Sequence, residues 1–252
     1  MPDLTGLWDA VIAAPEADEP RLAYAAAIAP TDPLRAELID VQLRWDRLRK
    51  AQAALDGERG TLAMRAGELT RAHGQAWAGD VAPLVDKLRF VRGFVEDVTM
   101  AAAAFLRTAP ELYRRAPILH LQLTALSPVA RAVFASPHLT RLRSLDLFRC
   151  DLGDEDLAFL ASRDLPNLRW LNLDANRIGR DGLDALCASQ SLPRLGYVAL
   201  RDNAVPDPLP GLVDDYATET LLSAELRQKH GPVRWLDYNR FRDWPPERDA
   251  MP

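Results

Sequence analysis

The stretch ASRDLPNLRWLNLDAN (161–176) carries leucines in a telling rhythm. Leu171 and Leu173 alternate, the period of a half-buried strand, and Asn176 follows three positions on. ASPHLTRLRSLDLFRC (135–150) and ASQSLPRLGYVALRDN (188–203) align with it letter by letter. All three read A-S-x-x-L-x-x-L-x-x-Φ-x-L-x-x-[N/C], where Φ is apolar. A repeat, not a lone strand, is the unit from which this fold is built.

Two weaker copies precede these three. ILHLQLTAL (118–126) puts Ile118, Leu121 and Leu123 at the offsets of Leu142, Leu145 and Leu147, and VEDVTMAAA (95–103) does so with Val95, Val98 and Met100. The copies begin at 95, 118, 142, 168 and 195, so the period is 23 to 27 residues. The shared LxxLxLxxN core resembles the leucine-rich-repeat signature, and the period suits it. Between strands the pattern turns helical: Leu152, Leu157 and Leu160 in LGDEDLAFLAS, then Ile178, Leu183 and Leu186 in IGRDGLDALCAS. Asp154 is expected to cap the first of these helices, with Glu155 and Asp156 near its positive end. The combination resembles the ribonuclease-inhibitor type, which implies parallel strands on a concave face and helices outside. The expected fold is therefore α/β, a short leucine-rich-repeat solenoid with an N-terminal all-helical domain.

The last position of the repeat has its own physics. After each strand the backbone turns and leaves N–H and C=O groups without sheet partners, and a buried Asn can satisfy both kinds. Asn176 and Asn203 hold that place, Cys150 holds it in the third copy, and Leu126 and Ala103 hold it in the early ones. Cys150 reads as a small buried residue rather than a reactive thiol, and Cys187, standing where the preceding copy has Ala161, as helix core.

Residues 1–80 are expected to form the helical domain, 81–203 about five repeats, and 204–252 a C-terminal cap. Leu4, Leu7, Trp8, Val11 and Ile12 make one helical stripe that ends at Pro15. A second helix should run from Pro20 to about Ala29. Asp32 and Pro33 open a third, with Leu34, Leu38, Val41, Trp45 and Leu48 on one face. Gly57 and Gly60 should break the pattern before a fourth helix with Leu62, Leu69 and Trp77. After the proline-rich VPDPLPG, ATETLLSAELRQKHG should be a helix ended by Gly231, and VRWLDY (233–238) one more strand.

AVIAAPEADEPRLAYA (10–25) and DPLRAELIDVQ (32–42) resemble the bacterial repeat-companion domain, whose pattern runs A-V-x-x-x-P-x-D-D-x-P-R-L-x-Y-A-D-W-L and then G-D-P-R-x-E-[FL]-I-x-x-Q. HGQAWAG (73–79) and RFVRGFVEDV (89–98) resemble the segments that lead from it into leucine-rich repeats. Ala26, Ala27 and Ile28 stand in place of D-W-L, and Thr31 in place of the glycine. The resemblance implies repeat-mediated protein contacts, with no reaction and no known ligand.

Nothing in the sequence points to chemistry. There is no glycine-rich phosphate loop, GxSxG, HExxH or CxxC, and His73, His120, His138 and His230 are scattered. His120 is expected as a solvated contact residue. The acidic run CDLGDEDL (150–157) lacks the alternating oxygen donors of a calcium loop. An enzyme, a metal and a cofactor are thus not expected. A net charge of −5 without a long basic run argues against nucleic acid and anionic membrane. No apolar stretch approaches a membrane span, and MPDLTGLWDAVIAAPEADEP has neither the basic nor the apolar region of a signal peptide, so a cytoplasmic setting is expected.

What remains is a surface. If Leu171 and Leu173 face the core, Trp170, Asn172 and Asp174 face the concave side. The equivalent sets are His120, Gln122 and Thr124; Ser144, Asp146 and Phe148; and Tyr197, Ala199 and Arg201. Trp170, Tyr197, Phe148, Asp146, Asn172, Asp174 and Arg201 form the candidate partner-binding patch, with aromatic and arginine character common in binding hot spots. The expected function is a non-catalytic protein-interaction module, an adaptor or inhibitor, for a protein partner whose identity the sequence does not give. Two alternatives stay open. The aromatics are covered by the protein's own termini, or the chain is a spacer in a larger assembly with the helical domain as docking element.

Overall fold

The computed structural model describes residues 3–51, 57–205, 212, 213, 216, 217 and 220–238. They divide into two compact units. The first holds the described residues through Val98 together with Pro110–Ile118, and the second holds Thr99–Ala109 and the described residues from Leu119 on.

The first unit begins with four helices, α1 (Leu4–Ala13), α2 (Glu19–Ile28), α3 (Pro33–Lys50) and α4 (Gly57–Ala78). Local chemistry sets their starts: Asp3 accepts the Gly6 N–H at 3.0 Å, and Asp32 accepts the Arg35 N–H at 3.1 Å with Pro33 in the first turn. Val11, Ala25, Ile28, Ile39, Leu43 and Phe94 form a core cluster, with Trp8 and Tyr24 packed against it. Two expectations need correcting. Gly57 and Gly60 lie inside α4, where Gly60 is exposed and its early position makes the propensity cost bearable. Leu34, in the first turn of α3, is exposed rather than part of the buried stripe.

Strands β1 (Lys87–Val91) and β2 (Phe94–Ala101) follow, adjacent in one sheet and joined by Arg92-Gly93. Both linking residues have positive φ, 50° and 85°, the signature of a type I′ hairpin turn. Gly93 is required there for a second reason: a Cβ would lie 2.7 Å from the Ile39 Cα. Its N–H donates to Gln42 Oε1 at 2.6 Å, while Gln42 Nε2 donates to the Phe90 carbonyl at 3.0 Å. Beside the turn, Arg21, Arg92 and Glu96 are buried together. Arg92 Nη2 donates to Glu96 Oε2 at 3.0 Å and to the Pro15 carbonyl at 2.7 Å. Arg21 Nη2 donates to the same Pro15 carbonyl and meets Glu96 Oε1 at 2.5 Å, a charge contact outside hydrogen-bond angles. Residues of the stretches 10–25 and 89–98 thus meet in one buried polar knot.

Helix α5 (Ala102–Arg115) leads into the second unit's strands, β3 (His120–Thr124), β4 (Ser144–Asp146), β5 (Trp170–Asn172) and β6 (Tyr197–Ala199). They are parallel, with Leu121, Leu145, Leu171 and Val198 in one register and fully buried. Helices α6 (Ala130–Phe134), α7 (Asp154–Ala161) and α8 (Arg180–Ala188) return the chain between them, and α7 packs on α8. This is a mixed α/β architecture on a parallel sheet. Gly153, not Asp154, is the N-cap of α7. Asp156 accepts the Gly153 N–H, and Asp154 reaches the Gly179 N–H of the next repeat.

The turn after each strand behaves as its chemistry requires. Asn176 Oδ1 accepts from the Cys150 and Leu152 N–H groups at 3.1 and 3.0 Å, and its Nδ2 donates to the Leu147 and Leu173 carbonyls at 2.9 Å each. Asn203 repeats the pattern with the Ile178 N–H and the Leu173 and Leu200 carbonyls. Cys150 donates from Sγ to the Leu123 carbonyl at 3.3 Å and has no amide with which to bridge as Asn176 does. One recurring feature was missed: Ala125, Arg149, Ala175 and Asp202, each just before the ladder position, have φ between 52° and 56°. No glycine marks these left-handed turns.

Beyond β6, β7 (Leu212–Val213) pairs antiparallel with β8 (Tyr216–Ala217). Helix α9 (Leu221–His230) packs on α8 and ends at Gly231, whose φ is 76°. Residues Arg234–Tyr238 form a short helix, α10, against β6, not the expected strand. Val233 and Leu236 are buried three apart, and the Leu236 N–H closes on the Val233 carbonyl. That spacing fits a helical turn rather than alternation. The tail from residue 239 on lies outside the described residues.

Candidate functional site

Register places His120, Ser144, Trp170 and Tyr197 in one row across the sheet, and Gln122, Asp146, Asn172 and Ala199 in the next. Phe148, Asp174 and Arg201 follow at the strand ends. The Trp170 and Tyr197 rings lie parallel within 11°, with centroids 6.0 Å apart. The column inferred from sequence is therefore a stacked pair.

Exposure separates the candidate residues. Trp170 is only 4 % exposed, whereas Phe148 is 43 % exposed and Arg201 is also exposed. Tyr197, Asn172 and Asp174 are half-buried, and Asp146 is buried. Ser144 flanks Trp170 on one side, small enough to leave the indole room, and Tyr197 stacks on the other. Trp170 is thus a packed platform rather than an open contact.

Several of the polar residues already have structural work. Asp146 Oδ1 accepts the Phe148 N–H at 3.0 Å, and Asn172 Oδ1 accepts the Asp174 N–H at 2.9 Å. Asp174 Oδ1 in turn accepts the Arg201 N–H at 2.7 Å, tying adjacent strand ends together. These Asx bonds close the strands where the sheet ladder stops. Phe148 is steadied by the Arg149 guanidinium, 5.6 Å from its ring centroid. The accessible part of the patch is therefore its strand-end edge, Phe148, Arg201 and the half-open Asp174, together with half-open Tyr197 at the start of β6. His120 departs from expectation: it is buried, with Nδ1 2.7 Å from Ser144 Oγ.

Burial disfavours the thiolate, the nucleophilic form, at both cysteines. Burial pushes Cys150 up to about 11 and Cys187 up to about 12. The acidic run is spent on Gly153, on Gly179 and on an Asp151–Arg177 ion pair at 2.6 Å. Among the described residues no group of three or more His, Cys, Asp or Glu side chains is placed to hold a metal ion. No described helix is long and apolar enough to cross a membrane.

A family model described as a leucine-rich repeat matches residues 136–161 and again 164–187. The first match holds β4 and α7, and the second holds β5 and nearly all of α8. Leucine-rich repeats are in general protein–protein interaction modules and generally non-enzymatic. No curated protein and no solved structure matches the chain.

Proposed function

We propose that this protein is a non-catalytic interaction module that holds a protein partner on the concave face of a short leucine-rich-repeat solenoid, as an adaptor or inhibitor. The supporting observations are the strand-end edge formed by exposed Phe148 and Arg201 with half-open Asp174, and, at the start of β6, half-open Tyr197 stacked on buried Trp170. Phe148 and Tyr197 supply apolar area, Arg201 and Asp174 set orientation, and Trp170 holds Tyr197 in place. Asp146 and Asn172 shape the strand ends and contribute through the backbone they fix. In this reading residues 1–80 are a repeat-companion domain of a bacterial, cytoplasmic protein, 81–203 are about five repeats, and 204–252 cap them.

The test is a pull-down with the wild type and with Phe148→Ala/Arg201→Ala, circular dichroism confirming that the double variant is folded. Both side chains are exposed, so folding should survive their loss. Loss of the partner supports the edge as the contact. Full retention by the folded double variant counts against it and favours the other reading, a spacer whose helical domain docks on a larger assembly.

A further inference from the structure

One face of the parallel sheet is built from Leu121, Leu145, Leu171 and Val198, the core side. Alternation turns His120, Ser144, Trp170 and Tyr197 to the other face, where water should reach them. It does not. His120 is 2 % exposed, Ser144 1 % and Trp170 4 %, and Asp146 and Ala199 in the next row are buried as well. Phe148, at the strand end of the same face, stays open. A single layer of side chains on a sheet leaves its upper surface bare, and the row neighbours include a serine and an alanine, too small to roof an indole. None of His120, Asp146, Trp170 and Tyr197 is without an interaction partner. The burial arises within one chain, so the cover belongs to the chain itself.

The C-terminal end of the chain starts in the right place. Helix α10 packs against β6, and Arg234 Nε lies 3.6 Å from where a Cβ on Gly196 would stand, next to Tyr197. Trp235 and Leu236 are buried, and Arg227 Nη2 donates to the Leu236 carbonyl at 3.0 Å, so α10 is fixed there. The sequence then continues NRFRDWPPERDAMP (239–252). From β6 to β3 is three strand spacings, about 14 Å. Six residues in a polyproline-II run span about 19 Å, enough to cross the whole row. Pro245 and Pro246 favour that conformation, and Pro245 holds Trp244 extended. Its three-residue turn places Phe241 and Trp244 on one side, the spacing with which such runs dock on aromatic surfaces. Arg240 and Arg242 bring cations to a face that carries Asp146 and Asp174, and Asp243 brings an anion to strand starts that carry Arg143 and Arg169.

We propose that residues 239–245 lie across this row from Tyr197 towards His120, with Phe241 and Trp244 over Trp170. The chain thereby occupies the middle of its own sheet face and leaves only the strand-end edge to anything else. This occupancy stands whether or not a partner meets that edge.

The test is hydroxyl-radical footprinting of the purified full chain, read residue by residue by mass spectrometry. Trp170 should be protected in the wild type. Its modification should rise severalfold in Phe241→Ala/Trp244→Ala and in a chain stopped after Tyr238. Buried Trp45 and Phe134 should stay protected in all three, which reports the fold of each unit, and Phe148 should stay reactive throughout. Equal modification of Trp170 in the wild type and the folded variants overturns the proposal. Protection that disappears on dilution assigns the cover to a second copy and overturns it too. Should Trp45 or Phe134 open in both variants, a photo-reactive amino acid at position 244 of the full chain decides. A crosslink within the same chain to residues 144–172 is then expected, and crosslinks only to other segments or to another chain overturn the proposal.

Discussion

The two units solve the same problem, buried polar groups, with a different balance of neutral and ionic side chains. In the repeats one neutral side chain per turn does the work, and Asn176 alone serves two N–H groups and two carbonyls from adjacent repeats. In the helical unit one neutral amide, Gln42, bridges the Gly93 N–H and the Phe90 carbonyl, and an ionic cluster stands beside it. Arg21 is buried with Arg92 and Glu96, far from it in sequence, around the Pro15 carbonyl. A neutral amide can be repeated at every turn because it adds no charge to the core. A buried ion triad needs each partner present, so it suits a single fixed junction.

That contrast can be broken in order of expected effect. Glu96→Ala leaves two guanidiniums facing each other without their carboxylate, and should cost about 3–5 kcal/mol by chemical denaturation. Burial already lowers Arg21 to about 10, with Glu96 the chief opposing influence. A loss below about 1 kcal/mol would show the knot to be ornamental. Asn176→Ala strands several backbone groups and should cost about 3 kcal/mol. Asn203→Ala, at a more open position, should cost less, and equal losses would contradict the role given to burial.

Acid offers a third handle on the ionic unit. Burial alone would raise the Asp46 pKa, but hydrogen bonds and charge from Lys50 and Arg49 hold it below its ordinary value of 3.8. Its stabilisation is therefore complete above that value and lost as pH falls through the lower folded one. Denaturation midpoints taken from pH 6 to pH 2 should fall less in Asp46→Asn than in the wild type. On the neutral side of the comparison, Ala175→Gly removes a side chain from a left-handed turn and should stabilise by about 1 kcal/mol or less. The smallest effect concerns the thiols: Cys150 and Cys187 should resist a thiol reagent at pH 8 in the folded protein and react in denaturant.

Periodicity made the repeats legible. The leucine pairs at 145 and 147 and at 171 and 173, the Asn ladder and the intervening helices all follow from residues close in sequence. The left-handed row was not legible, because Ala125 and Ala175 are dictated by strand-to-turn geometry rather than by their own preference. Nor was the burial of Trp170, since alternation assigns a face and says nothing about what packs on it. The partners of Arg21 lie 71 and 75 positions away, beyond any local pattern. The hairpin was within reach: Arg92-Gly93 between LRFV and FVEDV is a turn pair flanked by strand-forming residues.

The central claim is that the strand-end edge around Phe148 meets a protein partner. A photo-crosslinking amino acid at position 148, with Met64 on the exposed face of α4 as the control position, tests it in the native cell. One discrete adduct is expected from position 148, lost when Arg201→Ala is added, and none from position 64. A discrete adduct from position 64 with none from 148 would contradict it.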